Sequence, residues 1–325
     1  MELLVEVSRS EIVESRHYGH IVVVNNKGEI LYSAGKPEMV TYFRSAAKPL
    51  QAVPLVKSGA YKYFSLAPKH LAVMTGSHTG EEMHCKTIKE ILTSIEVEEN
   101  NLKCGVQWPA KRETANNLIK AGLKPTPLHN NCSGKHAGML ALSKFKGWPI
   151  KEYWKLEHPV QQEMLLEVAE MCNYPKEKIN IGIDGCGVPV FGMPLINMAL
   201  GYANLVTCDA NKEVVNAMIS FPEMVFGPAQ FDTELMNLTG DLVAKAGVEA
   251  VYCIGLVDKG LGIAIKIEDG SFRAIAPTAV EVLSQLKVLN DDILKKLLSF
   301  HRPYVKNKRK EIVGEIRPVF KLVKH

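Results

Sequence analysis

The chain has 325 residues, enough to bury a large core and to form two domains or one elaborated one. Apolar residues make up 46% and charged residues 23%, which excludes intrinsic disorder, and no apolar run reaches the roughly 20 residues a membrane helix needs. The net charge of +4 is mild, and the densest basic run, Lys306 to Lys310, lacks interleaved aromatics, so it reads as a solvated tail rather than a nucleic-acid site.

The start, Met1 to Glu6, has neither a basic leader nor a long apolar stretch, so no secretory signal is expected and the protein is placed in the cytoplasm. Leu4 to Val7 alternates as a strand. His20 to Asn25 is a β-branched run that Asn26-Lys27-Gly28 turns into Glu29 to Ser33, an antiparallel hairpin. From Ser45 the apolar spacing becomes three and four, predicting helices over 83–95, 112–121, 136–145 and 160–171. After Thr239-Gly240 strands return at 251–257, 262–267 and 271–275. Helices over 279–289 and 291–300 are expected to close the chain.

This order predicts an α+β fold in which strands from both chain ends, 1–40 and 240–325, complete one antiparallel sheet flanked by helices. Residues 41–239 form a large, mostly helical insertion, and the whole is one catalytic unit. Seven cysteines without a C-x-x-C suit reduced thiols.

Five stretches could carry chemistry. In Phe43-Arg44-Ser45-Ala46-Ala47-Lys48-Pro49, a helix opening at Ser45 would put the hydroxyl and the amine of Lys48 on one face, about 5 to 6 Å apart at Cβ. A serine hydroxyl is a weak nucleophile until a neighbour takes its proton, and a lysine does so once burial or a second cation has lowered its pKa. The same spacing recurs at Ser33 and Lys36, Ser143 and Lys146, and Ser284 and Lys287, which read as surface coincidences. Only Ser45 falls at the junction of sheet and helical region, where clefts form.

Thr75 to Glu81 is a tight turn whose Ser77 or Thr79 could cap the next helix or serve a site. His129 to Met139 packs Asn, Cys, Lys and His together at a helix entrance, a costly set to bury without purpose. Asp184-Gly185-Cys186-Gly187 ends a strand-like run, and its thiol could meet Cys132 at a metal. Lys245-Ala246-Gly247 precedes the first returning strand, where glycine leaves room for a ligand and a second lysine would lower the pKa of Lys48.

Arg44 to Pro49, Gly76 to Glu81, His129 to Gly138, Asp184 to Gly187 and Phe231-Asp232-Thr233 together resemble the class 3 L-asparaginases, the asparaginase II-like family. The resemblance runs from Val5-Glu6-Val7 through Gly262-Ile263-Ala264. It implies a serine β-lactamase-like fold and hydrolysis of L-asparagine to L-aspartate and ammonia by two Ser-Lys tandems. Ser45 with Lys48 falls on the first tandem. Ser77 belongs to the second, with Lys245 as its preferred lysine and Lys266 as the rival. The family's zinc ligands fall on Cys132, Lys135 and Cys186. Its substrate pocket falls on Arg44, His136 and Asp184, and a homodimer is implied. Glutaminase or another small-amide hydrolase on the same fold, and a non-catalytic zinc-binding scaffold, are the alternatives.

Overall fold

A computed structural model describes residues 1–325. Its strands are β1 (Glu2–Arg9), β2 (Ile12–Asn25), β3 (Ile30–Ala34), β4 (Val40–Tyr42), β5 (Asn180–Ile183), β6 (Pro189–Pro194), β7 (Leu242–Gly247), β8 (Val251–Leu256), β9 (Leu261–Ile267), β10 (Tyr304–Lys306), β11 (Ile312–Pro318) and β12 (Val323–Lys324).

The β-branched run of β2 is the seam between the two chain ends. Its second half pairs antiparallel with β9, Val22 opposite Ala264, and the main sheet runs β10-β11-β1-β2-β9-β8-β7, with β3 and β12 beside it. Val22, Val23 and Val24 are fully buried, as is every residue of β7 and β8, so both faces of the sheet are covered. The helix Leu195–Thr207 lies against β2, β8 and β9, and it comes so close that a Cβ on Gly262 would stand 1.8 Å from the Ala199 carbonyl. The helix Ile275–Gln285 packs against β1, β8, β9 and β11.

Between β3 and β7 the chain is mostly helical, and the helices 82–94, 112–120, 133–145 and 159–171 fall where the apolar spacing puts them. A small sheet, β4-β6-β5, interrupts the helices and anchors the Ser45 segment through Phe43, whose N–H donates to the Phe191 carbonyl at 2.8 Å.

Five expectations are corrected. Residues 271–275 are not a strand: after the Asp269-Gly270 turn the chain enters a short 3-10 turn and then the helix from Ile275. The buried residues Ile275, Thr278, Ala279, Val282 and Leu283 of that helix repeat at three and four. The first returning strand is β7, a segment whose pattern suggests only a lead-in to β8. The chain closes with strands rather than helices. Lys306 to Lys310 is therefore no tail; it is the turn between β10 and β11, with Asn307 Oδ1 accepting the N–H groups of Arg309 and Glu311. Ser33 and Ser143 are buried, not surface.

Candidate active site

Lys48 organises the site. Ser45 does not open the α-helix; it lies in a 3-10 turn, Arg44–Ala47, and Lys48 and Pro49 begin the helix Lys48–Lys57. Arg44 takes a left-handed φ of 50°, a conformation costing on the order of 1–3 kcal/mol in a non-glycine residue, which persists only where the surroundings impose it. Those surroundings are β7, where a Cβ on Gly247 would meet Phe43 O at 3.1 Å, and Tyr202, whose hydroxyl donates to Ala46 O at 2.8 Å.

The Lys48 amine is buried and donates to Gly76 O at 2.6 Å, Ser77 Oγ at 3.0 Å and Asn131 O at 3.4 Å. No hydrogen bond joins it to Ser45. The predicted first tandem and the serine of the second are thus brought together by one amine. Ser45 and Ser77 are each 8% exposed, leaving both hydroxyls only a narrow opening.

Ser77 is held by its own N–H, which donates to Val225 O at 2.7 Å. That contact needs Gly76, because a Cβ there would stand 2.7 Å from Met224 O and 2.8 Å from Val225 O. The adjoining His78 accepts the Gly80 N–H on Nδ1 and donates from Nε2 to Ser133 Oγ at 2.9 Å. Burial first, then His84 and Lys48, keep this imidazole neutral.

Lys245 sits mid-β7, fully buried, donating to Ala246 O at 2.7 Å with the Phe226 ring 5.6 Å away. Burial is the main cause that brings its pKa down to about 7; Lys48 pushes the same way and Asp232 opposes it. Lys266 is spent elsewhere, donating to Glu249 O at 2.6 Å and Ile267 O at 2.5 Å. It braces the β7-β8 turn, where Glu249 and Ala250 both have positive φ.

Cys132, Lys135 and Cys186 converge behind Lys48. The Lys135 amine is 3.2 Å from Cys186 Sγ, the Cys132 thiol donates to Asn131 Oδ1 at 3.2 Å, and the closeness of the two sulfurs lowers the Cys186 pKa against burial and raises that of Cys132. Burial alone would lower Lys135, but Cys186, Cys132 and Asp184 outweigh it and keep the amine charged. No cluster of three His, Cys, Asp or Glu side chains with metal-ligand geometry occurs.

Arg44 and Asp184 form an ion pair at 3.0 Å, with Asp184 the more buried partner. Burial would raise the Asp184 pKa, but Lys135 and Arg44 overcome it and hold the carboxylate ionised. His136 is completely buried with its Nδ1 2.7 Å from the Tyr153 hydroxyl, which itself accepts the Lys103 N–H at 2.9 Å. Tyr153 therefore donates to Nδ1, and the His136 Nε2–H is left buried without a partner. Tyr153 escapes sequence reasoning because it lies in an irregular stretch with no motif. Gly76 and Asn131 meet Lys48 through their backbone carbonyls, which no side-chain pattern announces.

Ser45, Lys48, Ser77 and Lys245 are all buried on this α+β frame. The family described as L-asparaginase II matches residues 5–318, and the chain belongs to it. It is an asparaginase-type amidohydrolase. No curated protein matches the chain. Among solved structures it is similar to Mglu in its native form, at 12% identity and a TM-score of 0.48, covering 85% of this chain and 67% of that one. It is also similar to a β-lactamase from Mycobacterium bovis, at 12% identity and a TM-score of 0.41 over 86% of this chain and 94% of that one. An octameric penicillin-binding protein homologue from Pyrococcus abyssi is similar at 13% identity and a TM-score of 0.41, over 87% and 76%. No helix is long and apolar enough to cross a membrane.

Proposed function

We propose that the protein hydrolyses L-asparagine to L-aspartate and ammonia, with Ser45 as nucleophile and Lys48, Ser77 and Lys245 handling the protons. The observation that carries this reading is the Lys48 amine, one turn beyond Ser45 and 3.0 Å from Ser77 Oγ. A proton leaving Ser45 has Lys48 beside it and Ser77 beyond. Ser45 Oγ attacks the side-chain amide carbon as the Lys48 amine accepts the hydroxyl proton. The tetrahedral adduct then expels ammonia, to which Ser77 passes a proton supplied by Lys48, and an acyl-serine ester remains. Water attacks the ester with Lys245 as base, since an amine with a pKa of about 7 is substantially neutral at physiological pH.

Arg44 and Asp184 supply one positive and one negative group side by side, the complement of an α-carboxylate and α-ammonium. The unpartnered His136 Nε2–H is a donor for a substrate oxygen. This pairing favours an α-amino acid over a simple amide.

Zinc would be held by Cys132, Lys135 and Cys186, a donor set of two sulfurs and an amine that suits it. When bound it supplies a fixed positive charge behind the substrate pocket. Lys135 and both thiols would have to give up their protons for this. Ammonia release by purified protein tests the reading: rapid release from L-asparagine, slow release from L-glutamine and none from propionamide are expected. Equal rates on all three would rule it out.

A further inference from the structure

Asp232 is a buried carboxylate to which the mechanism gives no task. It is 1% exposed, lies in the first turn of the helix Phe231–Thr239, and forms no ion pair with any lysine or arginine. Its Oδ2 accepts the Ala246 N–H at 2.9 Å instead. Ala246 follows Lys245 in β7, and the Ala246 carbonyl is what the Lys245 amine donates to, at 2.7 Å. One residue, Ala246, thus joins the carboxylate to the amine.

An ionised carboxylate taken out of water costs several kcal/mol, and one amide hydrogen bond does not offset that. A positive charge close by does. The charged and titratable groups facing Lys245 are Asp232, Lys48 and Cys132; those facing Asp232 are Lys245 and the Tyr252 hydroxyl. Lys245 is the cation that acts on Asp232. Asp232 is in turn the one carboxylate among the groups that face Lys245; burial raises its pKa, and Lys245 and the Ala246 N–H oppose that rise.

We propose that Asp232 is a positioning residue for Lys245, fixing through Ala246 the strand to which the amine is anchored and setting a compensating negative charge beside it. The proposal rests on the reading of Lys245 as a proton acceptor. Its consequence is that Asp232 decides how readily Lys245 gives up its proton.

The test is the pH dependence of kcat/KM for ammonia release from L-asparagine. Asp232→Asn keeps an acceptor for the Ala246 N–H and removes the charge, so the acid limb should move to lower pH by about one unit with KM unchanged. Asp232→Glu keeps the charge and should leave the limb where it is in the wild type, with a lower kcat. A cooperatively melting Asp232→Asn enzyme whose limb does not move overturns the proposal. If the Asn variant fails to fold, the Glu variant decides, and a limb displaced by a full unit overturns it. A Lys245→Met enzyme that keeps the wild-type limb sinks the reading of Lys245 and the proposal together. Loss of the limb in Lys245→Met with none of the expected shift in Asp232→Asn sinks the role of Asp232 alone.

Discussion

The Lys48 amine donates a hydrogen bond to Ser77 Oγ at 3.0 Å across 29 residues of chain and makes none to the Ser45 hydroxyl one turn back, although the Lys48 backbone N–H donates to Ser45 O. The amine is buried, and its other acceptors, Gly76 O and Asn131 O, come from the two loops that flank the site. A lysine that touches both serine segments couples them. Replacing Lys48 by methionine removes that coupling without emptying its volume. Turnover of L-asparagine is expected to fall at least about a hundredfold, the scale of a lost general base, in a protein with a wild-type circular dichroism spectrum.

Lys245 gives the pH dependence. With its pKa lowered to about 7 by burial, the neutral amine forms as pH rises through that value, so kcat/KM should climb between about pH 6 and pH 8. Stability follows the same group. Its folded pKa lies below the ordinary 10.5, so between about 7 and 10.5 the unfolded chain binds a proton that the native chain has released. Unfolding free energy therefore rises with pH through that window, and below it the buried charge is a cost. Urea melts of wild type against Lys245→Met at pH 6.5 and 9 isolate the effect: the difference between the two proteins should be smaller at pH 9.

How much of this was legible in the chain depends on what each feature needs. Strands β2 and β9 declare themselves by β-branched runs, and the helix 133–145 by its apolar spacing, because both patterns are local. The segment 271–275 misleads because its five residues fit either period until the following turns of helix are weighed with them. Ser45, Ser77 and Lys245 can be picked out as side chains of the right type in cleft-prone places. That Lys48 would point to Ser77, and that His136 would rest on Tyr153, depends on how distant segments pack, and nothing local encodes it.

Arg44 and Asp184 should act on binding. Removing either leaves a partly buried charge without its partner, a loss of about 1.5–3 kcal/mol for a charged hydrogen bond. Arg44→Ala and Asp184→Asn are therefore expected to raise KM for L-asparagine by roughly ten- to a hundredfold while kcat falls less. Steady-state kinetics check this. A variant in which kcat collapses and KM is unchanged would place the residue in the chemistry instead.

Chelation should resemble those variants. If zinc at Cys132, Lys135 and Cys186 positions substrate, stripping the purified protein with a chelator raises KM and adding zinc back restores it. Abolished turnover at unchanged KM would contradict a positioning role.

Gly134 offers a test of the frame. A Cβ there would stand 2.1 Å from Val73 O, in the contact between the helices 68–74 and 133–145. Gly134→Ala must push these helices apart, at a cost of about 1–3 kcal/mol in urea denaturation. Because Val73 precedes the Ser77 loop by one turn and Cys132 lies at the other helix's entrance, activity should fall as well.

The central claim is that Ser45 is the nucleophile of an asparaginase whose proton traffic runs through Lys48. The most direct measurement is ammonia release from L-asparagine by wild type, Ser45→Ala and Ser77→Ala, with intact-mass detection of an acyl adduct during turnover. Ser45→Ala should lose activity by at least about a thousandfold and form no adduct, whereas Ser77→Ala should still accumulate the ester. Undiminished release by a folded Ser45→Ala enzyme, or an adduct mapped to Ser77, would contradict the account.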